Sequence, residues 1–284
     1  MNAILLVLIV LLMLFQSVAQ KQYNIKTGNK GVYIFNAVFT LSAAILFACL
    51  DSDGFHMEAA MVPYILGFAA AFGTAVLFTF LAIREGSLSF TNLAAAYSLF
   101  IPTLYGLLFL EEPTSVYLYA GMALLACSIF FINSKKEENT FTVKWLIFAL
   151  LAFVGNGMSS TIQTMQQKRF DGNYKSEFMI AALLIVSLFF LTLTLIREKD
   201  SLKMCVEKGG ILMVLDGVAN GLVNFLVMTL VSRNMPASIM FPVISGGGII
   251  FTTMVSVLFY KEKLTLKQYI GLLCGAASVV FMSL

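Results

Sequence analysis

The chain of 284 residues is 60 % hydrophobic and only 12 % charged, against about 25 % charged for a soluble domain, whose surface must face water. That excludes a water-soluble enzyme, and a net charge of +3, scattered along the chain, is too small to attract nucleic acid. The apolar residues cluster in runs such as Ile180–Ile196 and Ile249–Tyr260, so the chain reads as an all-α integral membrane protein.

A spanning helix needs about 20 mostly apolar residues. Ten such segments can be placed: Asn2–Gln20, Val32–Leu50, Ala60–Ile83, Leu88–Leu110, Val116–Asn133, Val143–Gln163, Glu177–Ile196, Gly210–Val231, Ala237–Tyr260 and Thr265–Leu284. A β-barrel is excluded, because its strands are about 10 residues long and alternate polar with apolar. The connections are short, so function has to lie within the bilayer or at its faces.

The first segment ends in "FQSVAQ", which mimics a signal-peptide cleavage site, yet no lysine or arginine precedes it. A signal peptide carries a positive n-region, so a retained helix is expected. Asn36 is a lone polar residue in the second segment. The loop that follows holds the only histidine, His56, beside Asp51, Asp53 and Glu58, and reads as solvated chain rather than a cation site. Cys49, Cys127, Cys205 and Cys274 form no CxxC pair and read as small packing residues, not disulfides or metal ligands.

The fourth and ninth segments place small residues at matched positions, Ala94–Ala96 and Gly246–Gly248, with Asn92, Tyr97 and Ser245 as polar neighbours. Small residues let helices approach closely, whereas consecutive glycines loosen a helix. Gly246, Gly247 and Gly248 therefore have two readings, close packing or an unwound stretch that offers backbone carbonyls to a substrate. The sixth segment carries Asn156, Ser160, Gln163 and Gln167 at helical spacing, broadened by Ser159, Thr161 and Gln166. Interhelical hydrogen bonds at about 0.6 kcal/mol each are one explanation, but the number of amides favours a wet, substrate-lining wall. In the eighth segment Asp216, Asn220 and Asn224 recur every four residues and share one face. Asp216 falls about 6 Å from that segment's midpoint by helical rise. An acid so deep costs on the order of 3 kcal/mol to insert, which marks it as a carrier of protons or a partner for a cationic substrate. The bland alternative is a bond to a neighbouring helix. There is no serine elbow, HExxH or paired carboxylate at depth, so no catalytic residue, metal or other cofactor is expected.

A shift of 150 residues superimposes Leu108, Phe109, Glu112, Tyr119 and Gly121 on Leu258, Phe259, Glu262, Tyr269 and Gly271. It also pairs Gly67 with Gly217, Thr79 with Thr229, Ala126 with Ala276 and Phe131 with Phe281. "AQKQY" (Ala19–Tyr23) likewise echoes "QQKRF" (Gln166–Phe170). Each half reads as five helices, residues 1–134 and 141–284, divided at the polar linker Ser134–Phe141. Five is odd, so the second copy enters the membrane from the opposite face, an inverted repeat typical of secondary transporters. Glu112 and Glu262 become one helix-end position used twice.

The stretches "SFTNLAAAYSLFIPTLYGLLFLEEPTSVYLYAG" and "ASIMFPVISGGGIIFTTMVSVLFYKEKLTLKQYIG" resemble the ten-helix, EamA-like branch of the drug/metabolite transporter superfamily. There the fourth helix of each repeat carries small residues and ends in a glutamate before a fifth helix with an early glycine. Pro102 and Pro242 do not match as a repeat, so paired proline hinges do not carry over. The resemblance implies a secondary transporter of a small polar metabolite or drug, with a cavity lined by helices one, three, four, six, eight and nine. Substrate contacts are expected from Asn156, Ser160, Gln163, Asp216, Asn220 and Asn224, and proton coupling at Asp216. The partners implied are a small-molecule solute, protons and the lipid bilayer, in a monomer or homodimer of the bacterial plasma membrane. A structural or receptor-like membrane protein is the alternative.

The connections after the odd-numbered segments hold 14 of the 18 lysines and arginines. The positive-inside rule then places both termini outside, whereas the resembled family more often has cytoplasmic termini.

Overall fold

The computed structural model describes residues 2–28, 30–51, 54–85, 94–95, 97–112, 114–132, 142–260 and 265–282. Among them, ten α-helices of at least ten residues follow one another: α1 (Asn2–Thr27), α2 (Val32–Leu50), α3 (Val62–Glu85), α4 (Phe100–Phe109), α5 (Val116–Ile132), α6 (Val143–Arg169), α7 (Lys175–Arg197), α8 (Leu202–Ser232), α9 (Ala237–Tyr260) and α10 (Leu266–Met282). No strand occurs among the described residues. In hydrocarbon every backbone N–H and C=O must be satisfied within the chain, and a helix does this locally.

Six helices, α1, α2, α3, α6, α7 and α8, are long and apolar enough to cross a membrane. The other four present apolar helical runs of 10–17 residues within the described part of the chain. Several helices outrun the sequence expectation. Helix α1 continues past Gln20 to Thr27, and α8 starts at Leu202 rather than Gly210. Their extra turns carry charged side chains, such as Lys26, Lys203 and Glu207, which an apolar window does not capture. Leu184, Leu188, Leu191 and Leu195 on α7 point outward, as lipid-facing residues do; a soluble protein would not expose so contiguous an apolar face.

Side-chain contacts sort the connections into two ends. At one end, Glu85 at the close of α3 meets Lys144 at the start of α6, with Nζ to Oε1 at 2.6 Å. Glu198, between α7 and α8, meets the start of α2 there. At the other end Glu112, between α4 and α5, meets the start of α9. Lys168, late in α6, donates to Asn234, between α8 and α9, and Tyr174, between α6 and α7, donates to Glu58, before α3.

Most helix packing joins one of the first five helices to one of the last five: α3 with α6, α1 with α8, α2 with α7 and α8, α5 with α10, α4 with α9. The largest core lies among α2, α3, α7 and α8 and includes Phe47, Phe68, Phe178, Met179 and Phe190, all fully buried. Lipid tails are as apolar as these side chains, so close fit rather than water exclusion holds the helices. Gly217 shows how close: a Cβ there would come 2.7 Å from Cβ of Ser42 and would press on the Phe39 carbonyl of α2.

Candidate functional site

A cavity of about 850 Å³ opens at the end where α1 finishes and α2 begins, a volume within the usual range of small-molecule sites. Its apolar walls are Phe35 and Phe39 of α2 and Phe72, Val76 and Phe80 of α3. Polar groups enter from α1 (Gln20, Asn24), α2 (Asn36), α3 (Thr79) and α6 (Asn156), and Lys30, Tyr33, Glu198 and Ser201 ring the mouth. Among the described residues α2 supplies much of the lining, although the family resemblance pointed to helices one, three, four, six, eight and nine.

The mouth is built around the start of α2. Gly31 has φ of 75°, a left-handed backbone that favours glycine, and it lies where a Cβ would press on Tyr23 and Cys205. The Tyr23 hydroxyl donates to the Gly31 carbonyl at 2.7 Å. Beyond this turn the first N–H groups of α2 have no intrahelical partner. Glu198 supplies one: Oε1 accepts from Val32 N at 2.9 Å, and Oε2 from Tyr33 N at 2.9 Å and Ile34 N at 3.2 Å. A carboxylate at a helix N-terminus is also favoured by the helix dipole. Glu198 thus ties the connection after α7 to the wall of the cavity.

Of the residues expected to contact substrate, Asn156 lines the cavity. Its Nδ2 donates to Ser98 Oγ at 2.5 Å and reaches the Ala95 carbonyl at 3.5 Å. Asp216, Asn220, Asn224 and Gln163 instead join a polar ladder between α1, α6 and α8. Gln20 Nε2 donates to Asp216 Oδ2 at 3.1 Å, Asn220 Nδ2 to Gln16 Oε1 at 3.3 Å, Asn224 Nδ2 to Asn220 Oδ1 at 2.9 Å and Gln163 Nε2 to Asn224 Oδ1 at 3.1 Å. Asp216 is fully buried, and its Oδ1 has no hydrogen-bond partner among the described residues. Gln20 belongs to both structures, lining the cavity and holding Asp216.

The other expected residues lie elsewhere. Ser160 is half-buried one turn before Thr164, whose hydroxyl donates to the Ser160 carbonyl. The Tyr97 hydroxyl donates to the Ala126 carbonyl at 2.7 Å, tying its segment to α5. Ser245 is buried in α9. Gly246, Gly247 and Gly248 lie within continuous helix, and a Cβ on Gly247 would come 2.9 Å from Val10 of α1. Glu112 accepts from Ala237 N and Ser238 N, each at 2.8 Å. Asn92 and Glu262 lie outside the described residues. Sequence reasoning missed Glu198, Gln16 and Gln20 as site residues. The two glutamines had a usable signal, a spacing of four that complements the stripe on α8; Glu198 had none.

A solved structure described only as "Crystal structure of protein" matches 99 % of this chain and 95 % of its own, with a TM-score of 0.80 at 12 % identity. The likeness shows a common fold. No curated protein matches the chain. The model of the EamA-like transporter family matches residues 143–284, half of the sequence and the whole stretch from α6 onward, and the chain accordingly belongs to the EamA-like transporter family within the drug/metabolite transporter superfamily.

Proposed function

We propose that the protein is a secondary transporter that moves a small polar solute across the bacterial plasma membrane by alternating access between two inverted halves, residues 1–134 and 141–284. The observation that carries this reading is the cavity, open at one end, lined by both halves and joined through Gln20 to a deeply buried carboxyl. Two features of the packing support the inverted repeat. Exchanging each helix of the first five for its counterpart in the last five turns the α3–α6 pair into α8–α1, α2–α8 into α7–α3 and α1–α9 into α6–α4, all of which are in contact. Corresponding helices also run in opposite directions, since α2 starts at the cavity end and α7 at the other.

In this mechanism Asp216 carries the coupled proton. Protonation alters what its oxygens accept and hence the hold on Gln20, whose side chain reaches the cavity. That links the charge on a buried acid to the shape of the binding site, as intramembrane acids of transporters do. A metabolite comparison of cells with and without the protein identifies the solute, which is then followed in proteoliposomes under a pH gradient. The wild type is expected to move it with the gradient, and Asp216→Asn to insert and fold yet lose gradient-driven movement. Unchanged pH dependence in Asp216→Asn overturns the coupling role, and absence of any solute movement by the wild type overturns transport.

A further inference from the structure

The amides of Asn36, Asn156 and Gln20 are not interchangeable polar groups, because the protein anchors the nitrogen of each. Asn36 Nδ2 donates to the Val32 carbonyl at 2.9 Å, a group that can only accept. Asn156 Nδ2 donates to Ser98 Oγ, whose own proton goes to the Ala95 carbonyl at 2.6 Å. Gln20 Nε2 donates to the Asp216 carboxyl. At least one N–H of each NH₂ group is therefore engaged, both in Asn156, while Asn36 Oδ1, Asn156 Oδ1 and Gln20 Oε1 accept from no described residue. Asn36 Oδ1 and Asn156 Oδ1 are not among the described polar atoms sealed from solvent without a partner, and Gln20 is an exposed residue, so all three oxygens belong to cavity-lining residues and are left for a ligand to use.

The same cavity offers an anion few charged or helix-end partners. The free N–H groups at the start of α2 are taken by Glu198. The formal cation among the lining residues is Lys30, at the mouth and not on the floor. The remaining walls are rings, Phe35, Phe39, Phe72 and Phe80, which suit an apolar or aromatic body and attract a positive charge over their faces.

Building on the transport reading, we infer that the solute is a primary amine on an apolar or aromatic body, its N–H groups donating to the amide oxygens of Asn36, Asn156 and Gln20, with no requirement for a carboxylate. Aromatic walls alone would accept a quaternary ammonium equally well; free acceptors would not, because that group has no N–H to give.

The test uses the full-length protein in lipid nanodiscs and isothermal titration with three probes on one phenyl body: 2-phenylethylamine, its N,N,N-trimethyl analogue and 3-phenylpropionate. The primary amine is expected to bind about tenfold or more tightly than either of the others, the worth of one good hydrogen bond. Asn156→Leu and Asn36→Leu are each expected to reduce that preference. The wild-type series decides the matter even where a variant unfolds. Equal binding of the trimethyl analogue, tighter binding of the carboxylate, or no binding of the amine overturns the inference. Amine binding without solute movement in vesicles overturns the transport reading and leaves this one standing.

Discussion

Replacing Glu198 with alanine removes the carboxylate that ties the second half to the first backbone N–H groups of α2. Three backbone N–H groups, those of Val32, Tyr33 and Ile34, lose a carboxylate at 2.9–3.2 Å. They lie at the mouth of a water-accessible cavity, so solvent takes over part of the bonding and the full value of three charged hydrogen bonds is not lost. Loss of a helix cap together with its charge is worth about 2 kcal/mol. Where local opening is fast compared with the reaction that reports it, that figure becomes about a 30-fold rise in the open population. Cys205 is a native reporter: it is fully buried and sits beneath Gly31, next to Tyr23, where a Cβ on Gly31 would run into it. With Cys49, Cys127 and Cys274 changed to serine, the rate of Cys205 labelling by a polar maleimide in liposomes is expected to rise about 30-fold in Glu198→Ala. Glu198→Gln, which keeps an acceptor oxygen but no charge, should fall between the two. A labelling rate in Glu198→Ala within about threefold of the wild type would show that the mouth is held by something else.

Gly217→Ala places a Cβ against the Phe39 carbonyl and the Ser42 side chain, and overpacking of that kind is expected to destabilise by about 1–3 kcal/mol. Its unfolding temperature in detergent should fall well below that of Gly210→Ala, whose Cβ would meet nothing nearer than Val206 at 3.7 Å. Glu112→Ala combined with Glu58→Ala removes the contacts to Ala237, Ser238 and Tyr174 at the far end; a cysteine at Asn224 should then label faster while Cys205 does not, and a parallel rise at both sites would contradict alternating access. A C-terminal reporter active only in the cytoplasm should stay silent if the 14 cations on the odd-numbered connections govern orientation.

The helical class and most helix positions could be read from apolar run length, because hydrocarbon leaves the backbone few other choices. The site was only half readable, and α8 shows why. The spacing of Asp216, Asn220 and Asn224 correctly places them on one face, since periodicity reports which residues share a direction. It does not report what that face meets. Here it meets Gln16 and Gln20 of α1 and Gln163 of α6, so the stripe is largely consumed in bonds between helices. The walls of the cavity gave no signal because Phe35, Phe39, Phe72 and Phe80 look like any membrane aromatics until the fold turns α2 and α3 toward one cavity. Glu198 follows an apolar run among other charges, and only the fold brings it back across 166 residues to Val32.

The two ends of the molecule use one chemical device with opposite parentage. At the cavity end a second-half carboxylate, Glu198, holds the start of a first-half helix, and at the far end a first-half carboxylate, Glu112, holds the start of a second-half helix. Each bond therefore spans the boundary along which rocking halves would move. In the proposed cycle helix α2 is the element shared by binding and rocking, since it carries Tyr33, Phe35, Asn36 and Phe39 into the cavity and gives its first N–H groups to Glu198. A solute that draws Asn36 of α2 toward Asn156 of α6 acts on one helix from each half. It can shift the equilibrium between end states only by the difference in its affinity for them, and a small displacement of α2 supplies such a difference because the three bonds to Glu198 are directional. In the proposed cycle the carboxylate caps thus set how much solute binding is needed to close the mouth, and Asp216, one hydrogen bond behind Gln20, lets a proton alter that requirement from inside the protein.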